Sequence, residues 1–392
     1  MIPQFPRDLT TALCAALLVS LLPVSTAAQT PNAHTLSNPD ARFETGLSQI
    51  TGLVERSDGE LVVTDLLEHA VYRIDEAFEA STLLGGHGTG PREYLGPGGL
   101  FDLGADRVLM YDVLLGRMLE FGPDFQPGGE FIHPRGCPEG GSRMNPAEAV
   151  DRAGHFYALT RPMSGEGGAL TIVDSVGLER WSDPVCQRDT LAIVPFPGAT
   201  ERFTVVQGGP APQVVEAFSA SPRLAVAPDG RLGVVSPDPF EVRFFDEEGG
   251  LVVRTSVPIE PIPVTEEVRE AWRETQSQPR PGRVRDRGGD ESRVQMTTAP
   301  ELEPEWPEAL PPYTDGHIGF DRDGCLWIER LTAPGAPARF ERISVSGDPI
   351  RPVEGPENAR LLGFGEGVVY LAETEEITGL EYLTRYRAPE CR

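Results

Sequence analysis

The sequence predicts an all-β fold, a six-bladed β-propeller with a helix-and-loop insertion between blades four and five. The first observation is a hairpin signal, in which short apolar strands flank a tight polar turn, most clearly at Asp58-Gly59, Asp229-Gly230 and Asp323-Gly324. Asp-Gly between alternating apolar segments favours a β-hairpin, because glycine tolerates the positive φ that such turns need. With weaker copies included, the turns lie at residues 58–59, 104–106, 152–154, 229–230, 323–324 and 366–367. Six repeated units match a six-bladed propeller.

The second observation is the spacing of these turns, and the third is the way the ring can close. The third and fourth intervals are longer than the others, which indicates insertions in those units. The last unit lacks an outer strand, whereas residues 42–45 precede the first unit and have no blade of their own. Donating that segment to the last blade pairs both edges and removes an exposed strand edge. The sequence therefore predicts that an N-terminal strand closes the ring.

Residues 1–28 are predicted to be a signal peptide. Arg7 gives a weakly positive start, residues 13–24 are almost wholly apolar, and small residues follow up to Ala28. This order is typical of a segment that signal peptidase removes. The apolar run is too short to span a bilayer. We therefore predict an exported protein, periplasmic or extracellular, with no transmembrane segment after cleavage and a single propeller domain over residues 29–392.

The join between the first two blades carries the most specific motif. Residues 85–97 read Gly-Gly-His-Gly-Thr-Gly-Pro-Arg-Glu-Tyr-Leu-Gly-Pro and lead into the strands of residues 100–121. This stretch resembles the Gly-rich join between blades of NHL-type six-bladed propellers in the TolB-like superfamily. Over roughly residues 43–388 the chain is also similar to secreted bacterial six-bladed β-propeller proteins, which mostly have no assigned function. The resemblance implies the fold and no activity, because one fold hosts many functions.

Residues 265–312 are predicted to form a lid over the face of the ring that carries the joins between blades, here called the join face. Residues 265–275 indicate a helix, with Thr265 as N-cap and acidic residues in the first turn. Residues 280–293, polar and rich in Gly and Arg, predict a mobile loop, and residues 303–312 predict a proline-stiffened strap. The helix is expected to dock through three residues at i, i+3 and i+4 spacing, which are Val268, Ala271 and Trp272.

Composition argues against several classes of function. The chain has 60 acidic against 34 basic residues, a net charge of −26, and all of the cations are arginine. Schiff-base chemistry and a Walker P-loop both need a lysine, and the sequence contains none. A chain this acidic repels phosphate backbones, so nucleic acid is not an expected partner.

Four cysteines remain after signal cleavage, and in an oxidising compartment they predict two disulfides. They are Cys137, Cys186, Cys325 and Cys391, and the sequence alone allows three pairings. Blade topology assigns the first two to connections on the join face. It assigns the last two to the opposite face, which carries the Asp-Gly turns and is here called the turn face. Because a disulfide needs Cα atoms about 5.5 Å apart, we predict the pairs Cys137–Cys186 and Cys325–Cys391.

Function is expected on the join face, where loops surround the mouth of the central channel. The residues predicted to contact a ligand there are His87, Arg92, Glu93, Tyr94, Arg161 and Arg330. For Tyr94, packing between blades is the competing interpretation. The first hypothesis is an exported, non-catalytic propeller that recognises a protein, peptide or glycan. No catalytic, cofactor-binding or metal-binding residue is predicted, because the histidines are scattered and no Gly-x-Ser-x-Gly motif occurs.

The alternative is a calcium-dependent lactonase or hydrolase of the six-bladed type. Such enzymes resemble this chain in fold and place Asn, Asp and Glu around a metal in the channel. Asn145 and Asn358 stand at the starts of predicted inner strands, the strands nearest the axis of the ring. Ca²⁺ is therefore the one cofactor that this alternative adds, on fold analogy alone.

Overall fold

The computed structural model describes residues 33–132, 147–161, 163–166, 169–182, 188–206, 209–212, 216–227, 229–277, 280–285, 292–297, 304–313 and 317–391. The predicted signal peptide, residues 1–28, lies outside these ranges. Within them the strands form six antiparallel blades in chain order, each with its inner strand first. The predicted six-bladed propeller is confirmed.

The four strands of the first three blades have the following bounds. Blade one contains Ile50–Glu55, Leu61–Asp65, Ala70–Ile74 and Ser81–Leu83; blade two contains Pro97–Gly104, Arg107–Asp112, Arg117–Phe121 and Pro127–Ile132; blade three contains Ala149–Val150, His155–Leu159, Ser175–Ser182 and Arg188–Pro195.

The remaining blades follow the same order, and two N-terminal strands complete them. Blade four contains Arg223–Val226, Leu232–Pro237, Phe240–Phe245 and Leu251–Ser256; blade five contains Ile318–Phe320, Leu326–Glu329, Pro337–Ile343, Pro349–Glu357 and the added His34–Thr35; blade six contains Ala359–Gly365, Val368–Thr374, Glu381–Arg387 and Ala41–Arg42.

Short strand pairs and helices lie in the connections. The pairs are Gly86–His87 with Glu93–Tyr94, Met163–Glu166 with Ala169–Ile172, Phe203–Val206 with Gly209–Pro212, and Arg280–Arg285 with Ser292–Thr297; the helices are Ala199–Arg202 and Glu266–Ser277.

Most of the core lies between neighbouring blades. The second strand of blade one, Leu61–Asp65, is buried along its whole length. Val63 belongs to one apolar cluster with Tyr370 of blade six, whereas Val62 belongs to another with Met110 of blade two. Successive side chains of a strand point to opposite sides of its sheet. Each blade is therefore held from both sides by its neighbours.

The N-terminal segment closes the ring, as predicted. The strand Ala41–Arg42 is shorter than the predicted segment 42–45 and pairs antiparallel with the third strand of blade six, with Ala41 opposite Arg385. Phe43 follows this strand and is buried. Earlier in the chain, His34–Thr35 adds a parallel strand to blade five. The tail thus covers the outer edges of two blades, which removes unpaired strand edges.

The insertion contains the predicted helix, which runs over Glu266–Ser277. The backbone N–H of Val268 donates to Thr265 Oγ1 at 3.5 Å, so Thr265 stands at the expected cap position. Val268 is buried. Trp272 packs edge-to-face on Trp306 of the strap, with 5.3 Å between ring centroids. An aromatic contact therefore fixes the helix to the strap.

One part of the insertion differs from the prediction. Where residues 280–293 were expected to be a mobile loop, the structure pairs Arg280–Arg285 with Ser292–Thr297 in an antiparallel hairpin. Val284 and Val294 each stand between polar residues. This period-two alternation favours strands, whereas the prediction rested on the Gly and Arg content.

The strap connects the insertion to the wall of the channel. Glu305 forms a parallel β-bridge with Glu216, which precedes blade four. Tyr313, at the end of the strap, is fully buried. Its hydroxyl donates to the backbone carbonyl of Val235 at 2.9 Å. Because Val235 pairs with Arg223 at the start of the inner strand of blade four, the strap is fastened beside the channel.

The predicted disulfide between Cys325 and Cys391 is present, with the two Cα atoms 5.7 Å apart. The other predicted pair, Cys137 with Cys186, lies outside the described residues. The strands that flank Cys186, Ser175–Ser182 and Arg188–Pro195, are the third and fourth of blade three. The topological argument for this pair had placed Cys186 after the last strand of that blade. That argument therefore loses its premise, and the pairing stays a prediction.

Candidate functional site

The inner strands enclose a central channel with a volume of about 600 Å³. Each of the six inner strands contributes one Gly or Ala to the wall, and these residues are Gly52, Gly99, Ala149, Ala225, Gly319 and Gly363. A β-carbon at Gly99 would have no neighbour within 4 Å. Small side chains on every inner strand therefore leave the axis of the propeller open.

Arg223 and His317 bring basic groups into the join-face end of this channel. They stand at equivalent positions in neighbouring blades. In blade four the last pair before the inner turn is Val226–Leu232, and in blade five it is Phe320–Leu326. Arg223 precedes Val226 by three residues, and His317 precedes Phe320 by the same number. Both residues line the channel. Equivalent positions in adjacent blades project side chains at the same depth, so the geometry forms a basic pair.

The imidazole of His317 is exposed to the channel, and inner strands from all six blades form the wall of that channel. Removal from bulk water lowers the pKa of His317 to about 4, and the positive charges of Arg223 and Arg360 act in the same direction. His317 is therefore neutral near pH 7. A neutral imidazole offers a ligand one donor and one acceptor.

The guanidinium groups of Arg223 and Arg360 differ in their hydrogen-bond partners. Nε of Arg360 donates to Glu381 at 3.0 Å, and Nη2 donates to the same carboxylate at 2.6 Å. Nη2 also donates to the backbone carbonyl of Ile50. Arg223 is half-buried, and within the described ranges its guanidinium forms neither a hydrogen bond nor an ion pair. Because its donors meet no acceptor among the described residues and it lines the channel, Arg223 is the group best placed to take a ligand.

Two carboxylates near the basic pair are already used by the backbone. Glu148 Oε1 accepts from the N–H of Leu159 at 3.0 Å. Burial raises the pKa of Glu148, and that hydrogen bond and the charge of Arg223 partly oppose the rise. Glu329 Oε2 accepts from the N–H of Leu361 in blade six at 2.9 Å. Burial likewise raises the pKa of Glu329.

The described residues around the basic pair do not form a calcium site. Ca²⁺ takes six to eight oxygen ligands, whereas here a guanidinium faces the space and the nearby carboxylates accept from backbone N–H groups. In the part of the chain that the structure describes, no group of three or more His, Cys, Asp or Glu residues is placed to hold a metal. Of the two asparagines named above, Asn145 lies outside the described residues. The amide of Asn358 donates to Glu376 at 3.2 Å.

The Gly-rich join places four of the residues predicted to contact a ligand. His87 is exposed and its ring meets that of His69 edge-on, 5.3 Å between centroids. Arg92 and Glu93 are also exposed, and Glu93 Oε2 accepts from the N–H of Gly90 at 2.8 Å.

Tyr94 is the fourth of these residues and lies inside the protein. Its side chain is 1% exposed. Its hydroxyl donates to the backbone carbonyl of Leu84 at 2.6 Å and accepts from the N–H of Val71 at 3.0 Å. Burial raises the pKa of Tyr94. Tyr94 therefore joins blades one and two rather than facing a ligand.

The other two predicted residues stand elsewhere on the join face. Arg161 is exposed beside blade three. Arg330 is buried, and its Nε donates to the backbone carbonyl of Pro312 at 2.7 Å while Nη1 donates to Glu341 at 3.2 Å. Burial lowers the pKa of Arg330. Arg330 thus anchors the strap, and neither residue is part of the channel wall.

Arg223 and His317 were not among the residues predicted to contact a ligand. A signal was nevertheless present, because Arg223, His317 and Arg360 all stand at or next to the start of an inner strand, in three consecutive blades. Asn145 and Asn358 were considered at such positions, but for their metal-binding chemistry alone. A search for any basic residue there would have found the pair.

The comparisons with known proteins concern the fold. No family model and no curated protein matches the chain. Solved propellers do. A gluconolactonase from Xanthomonas campestris is 15% identical, with a TM-score of 0.42, covering 89% of this chain and 95% of that chain.

Two further solved structures are similar in the same way. A virginiamycin B lyase from Staphylococcus aureus is 11% identical, with a TM-score of 0.37 and 88% of each chain covered. A calcium-binding regucalcin from Agrobacterium tumefaciens is 10% identical, with a TM-score of 0.36, covering 91% of this chain and 96% of that chain. At these values the likeness extends no further than the fold. Separately, no helix among the described residues is long and apolar enough to cross a membrane.

Proposed function

We propose that the protein is an exported propeller that binds a small organic anion in its central channel, with Arg223 holding the anionic group. The observation that carries this proposal is the half-buried Arg223 guanidinium, whose donors meet no acceptor among the described residues. A carboxylate satisfies such donors with charge-assisted hydrogen bonds. This keeps the binding role expected from the sequence but moves it from the join-face loops into the channel.

The rest of the wall supports a ligand with an apolar part. Leu100, Phe101 and Phe364 are half-buried and line the channel together with the small residues. Binding pockets of this kind combine a mainly apolar lining with a few placed polar groups. The neutral imidazole of His317 adds a second polar contact beside Arg223. Export is supported by the Cys325–Cys391 disulfide, because such bonds persist mainly in oxidising compartments.

Three probes that share a six-carbon chain but carry a negative, neutral or positive head group test the proposal. Calorimetric titration should show hexanoate binding more tightly than hexan-1-ol and hexylammonium. Arg223→Gln should weaken hexanoate by roughly 10- to 100-fold, because a hydrogen bond to a charged group contributes about 1.5–3 kcal/mol. The matched control is Arg231→Gln, since Arg231 belongs to the same blade and pairs with Asp229 in its own exposed turn. Equal affinities for the three probes, or an unchanged affinity in Arg223→Gln, would refute the proposal.

A second variant blocks the channel without removing a polar group. Gly99→Trp places an indole in space where a β-carbon has no neighbour within 4 Å, and Gly99 does not have a positive φ. We expect this variant to fold and to lose hexanoate binding. Retained binding in a folded Gly99→Trp protein would locate the ligand elsewhere.

The calcium-dependent hydrolase is kept as a separate hypothesis, and the two are distinguishable. It predicts one tightly bound Ca²⁺ per purified chain and lactone hydrolysis that a chelator abolishes. The anion-binding proposal predicts hexanoate affinity that a chelator leaves unchanged. Metal analysis together with a lactone hydrolysis assay therefore decides between them.

A further inference from the structure

We propose that Arg322 is a gate at the turn-face mouth of the channel, and that its ion pair with Glu55 must open before a solute reaches His317 from that face. The proposal rests on the geometry of the mouth and does not depend on which ligand the channel takes. Arg322 stands at the tip of the inner hairpin of blade five, and Glu55 ends the inner strand of blade one. Both residues line the channel.

The pair joins two blades that are not neighbours. Arg322 Nη2 donates to the backbone carbonyl of Glu55 at 3.1 Å and lies 3.5 Å from Glu55 Oε1. Blade six stands between blades five and one in the ring. The side chain of Arg322 must therefore extend along the rim, past the end of blade six, to reach blade one.

The acidic partner is fixed, so the arginine is the part that can move. The N–H of Glu366 donates to Glu55 Oε1 at 3.0 Å, and the hydroxyl of Tyr370 donates to the other carboxylate oxygen. A β-carbon at Gly365 would overlap this carboxylate, so blade six leaves room for it. The Glu55 side chain is 10% exposed, compared with 34% for Arg322.

The charge of Arg322 also acts on Asp106, which lies in the inner turn of blade two. Hydrogen bonds from Ser57 lower the pKa of Asp106 in blade two, and the charges of Arg56 and Arg322 lower it further. Blade two lies opposite blade five in a ring of six. The charge of the Arg322 guanidinium at the rim of the mouth is thus felt in both blade one and blade two.

Among the described residues, two other ion pairs of the turn face lack this arrangement. Arg152 Nη2 donates to Asp102 at 2.8 Å, which joins the adjacent blades three and two. Arg231 pairs with Asp229 within a single turn. Arg322, the partner that would move, is one-third exposed and lies 3.5 Å from the Glu55 carboxylate, and an ion pair that solvent reaches is weak and is screened by salt. The Arg322–Glu55 contact should therefore open readily, as a gate requires.

Carbethoxylation by diethyl pyrocarbonate tests the gate without any ligand, because this small neutral reagent modifies neutral imidazole. The rate at His317 is followed by peptide mass spectrometry in the full-length protein, and exposed His87 serves as the internal reference. Arg322→Ala should accelerate the reaction at His317 about fivefold, the factor expected for loss of an exposed ion pair. Arg322→Lys should restore part of the protection. The matched control Arg231→Ala should leave the rate at His317 unchanged.

The outcomes separate this proposal from the proposed function. An unaltered rate at His317 in Arg322→Ala, or a His317 that stays unreactive in that variant, overturns the gate. An equal acceleration at His87 also overturns it, because the effect would then be global. The hexanoate titrations with Arg223→Gln are unaffected by any of these results, since they measure affinity and not access.

Discussion

Removal of the Cys325–Cys391 disulfide should lower the free energy of unfolding by an amount that the length of the closed loop determines. The bond closes a loop of 66 residues, and the chain-entropy model then gives about 4 kcal/mol of stabilisation. Arg342 Nη2 donates to the backbone carbonyls of Pro389 and Glu390 at 2.7 and 2.9 Å. Because these contacts do not involve the cysteines, we expect them to remain in the variant, and the loss should come from the greater freedom of the unfolded chain.

This loss converts to a measurable shift in Tm. The compact unit Asn32–Arg392 has an unfolding entropy of about 0.8 kcal/mol/K on the usual scale per residue. A loss of 4 kcal/mol therefore lowers Tm by about 5 °C. The variant is Cys325→Ala with Cys391→Ala, and scanning calorimetry is the assay.

Two controls accompany the melting experiment. Cys137→Ala with Cys186→Ala measures any contribution of the other predicted pair in the same way. Non-reducing peptide mapping of the unmodified protein identifies the bonds that are actually formed. A Cys325→Ala, Cys391→Ala protein that melts within 1 °C of the parent, or a mapped peptide that links Cys325 to Cys137, would show that the reasoning is wrong.

Three other predictions concern titration, metal and ring closure. The pKa of His317 is about 4 in the folded state and about 6.5 when unfolded, so the unfolded chain binds a proton first as the pH falls from 6.5 to 4. The parent should therefore lose stability relative to His317→Gln over that range, which the difference in Tm between the two proteins measures. Chelator treatment should leave Tm unchanged, because no group of three or more His, Cys, Asp or Glu among the described residues is placed to hold a metal; a fall in Tm that added Ca²⁺ restores would count for the hydrolase hypothesis. Deletion of residues 29–46 removes both N-terminal strands and should cause self-association on size-exclusion chromatography; a monomeric deletion variant with unchanged melting would contradict the closure.

The fold could be predicted from the sequence because its signals are local. An Asp-Gly turn between short apolar strands needs only about ten residues to be recognised, and Asp58-Gly59 or Asp323-Gly324 marks its blade independently of the others. The closing strand could be inferred as well, since a blade short of one strand and a strand without a blade stand at opposite ends of the chain. Local composition failed only for residues 280–293, where alternation outweighed Gly and Arg content.

The candidate site was harder to predict because it exists only after the ring has closed. Arg223 and His317 are 94 residues apart in the sequence, and nothing local shows that both side chains enter one channel at the same depth. Burial is equally non-local. Tyr94 and Arg330 stand in polar, loop-like stretches, but contacts with other elements enclose them. The sequence left ligand contact and packing between blades both open for Tyr94, and it did not show that Arg330 would be buried.

The closing strand also sets the order of events during folding. Ala41 pairs with Arg385, so the closing strand finds its partner 344 residues further along the chain. Blades one to four can form from contiguous stretches of chain, because neighbouring strands are joined by short connections. Blade six cannot be completed until its third strand, Glu381–Arg387, has been synthesised, and the N-terminal strand must stay unpaired until then. Ring closure should therefore be a late kinetic step, and a variant that slows it would accumulate an open ring with two bare strand edges.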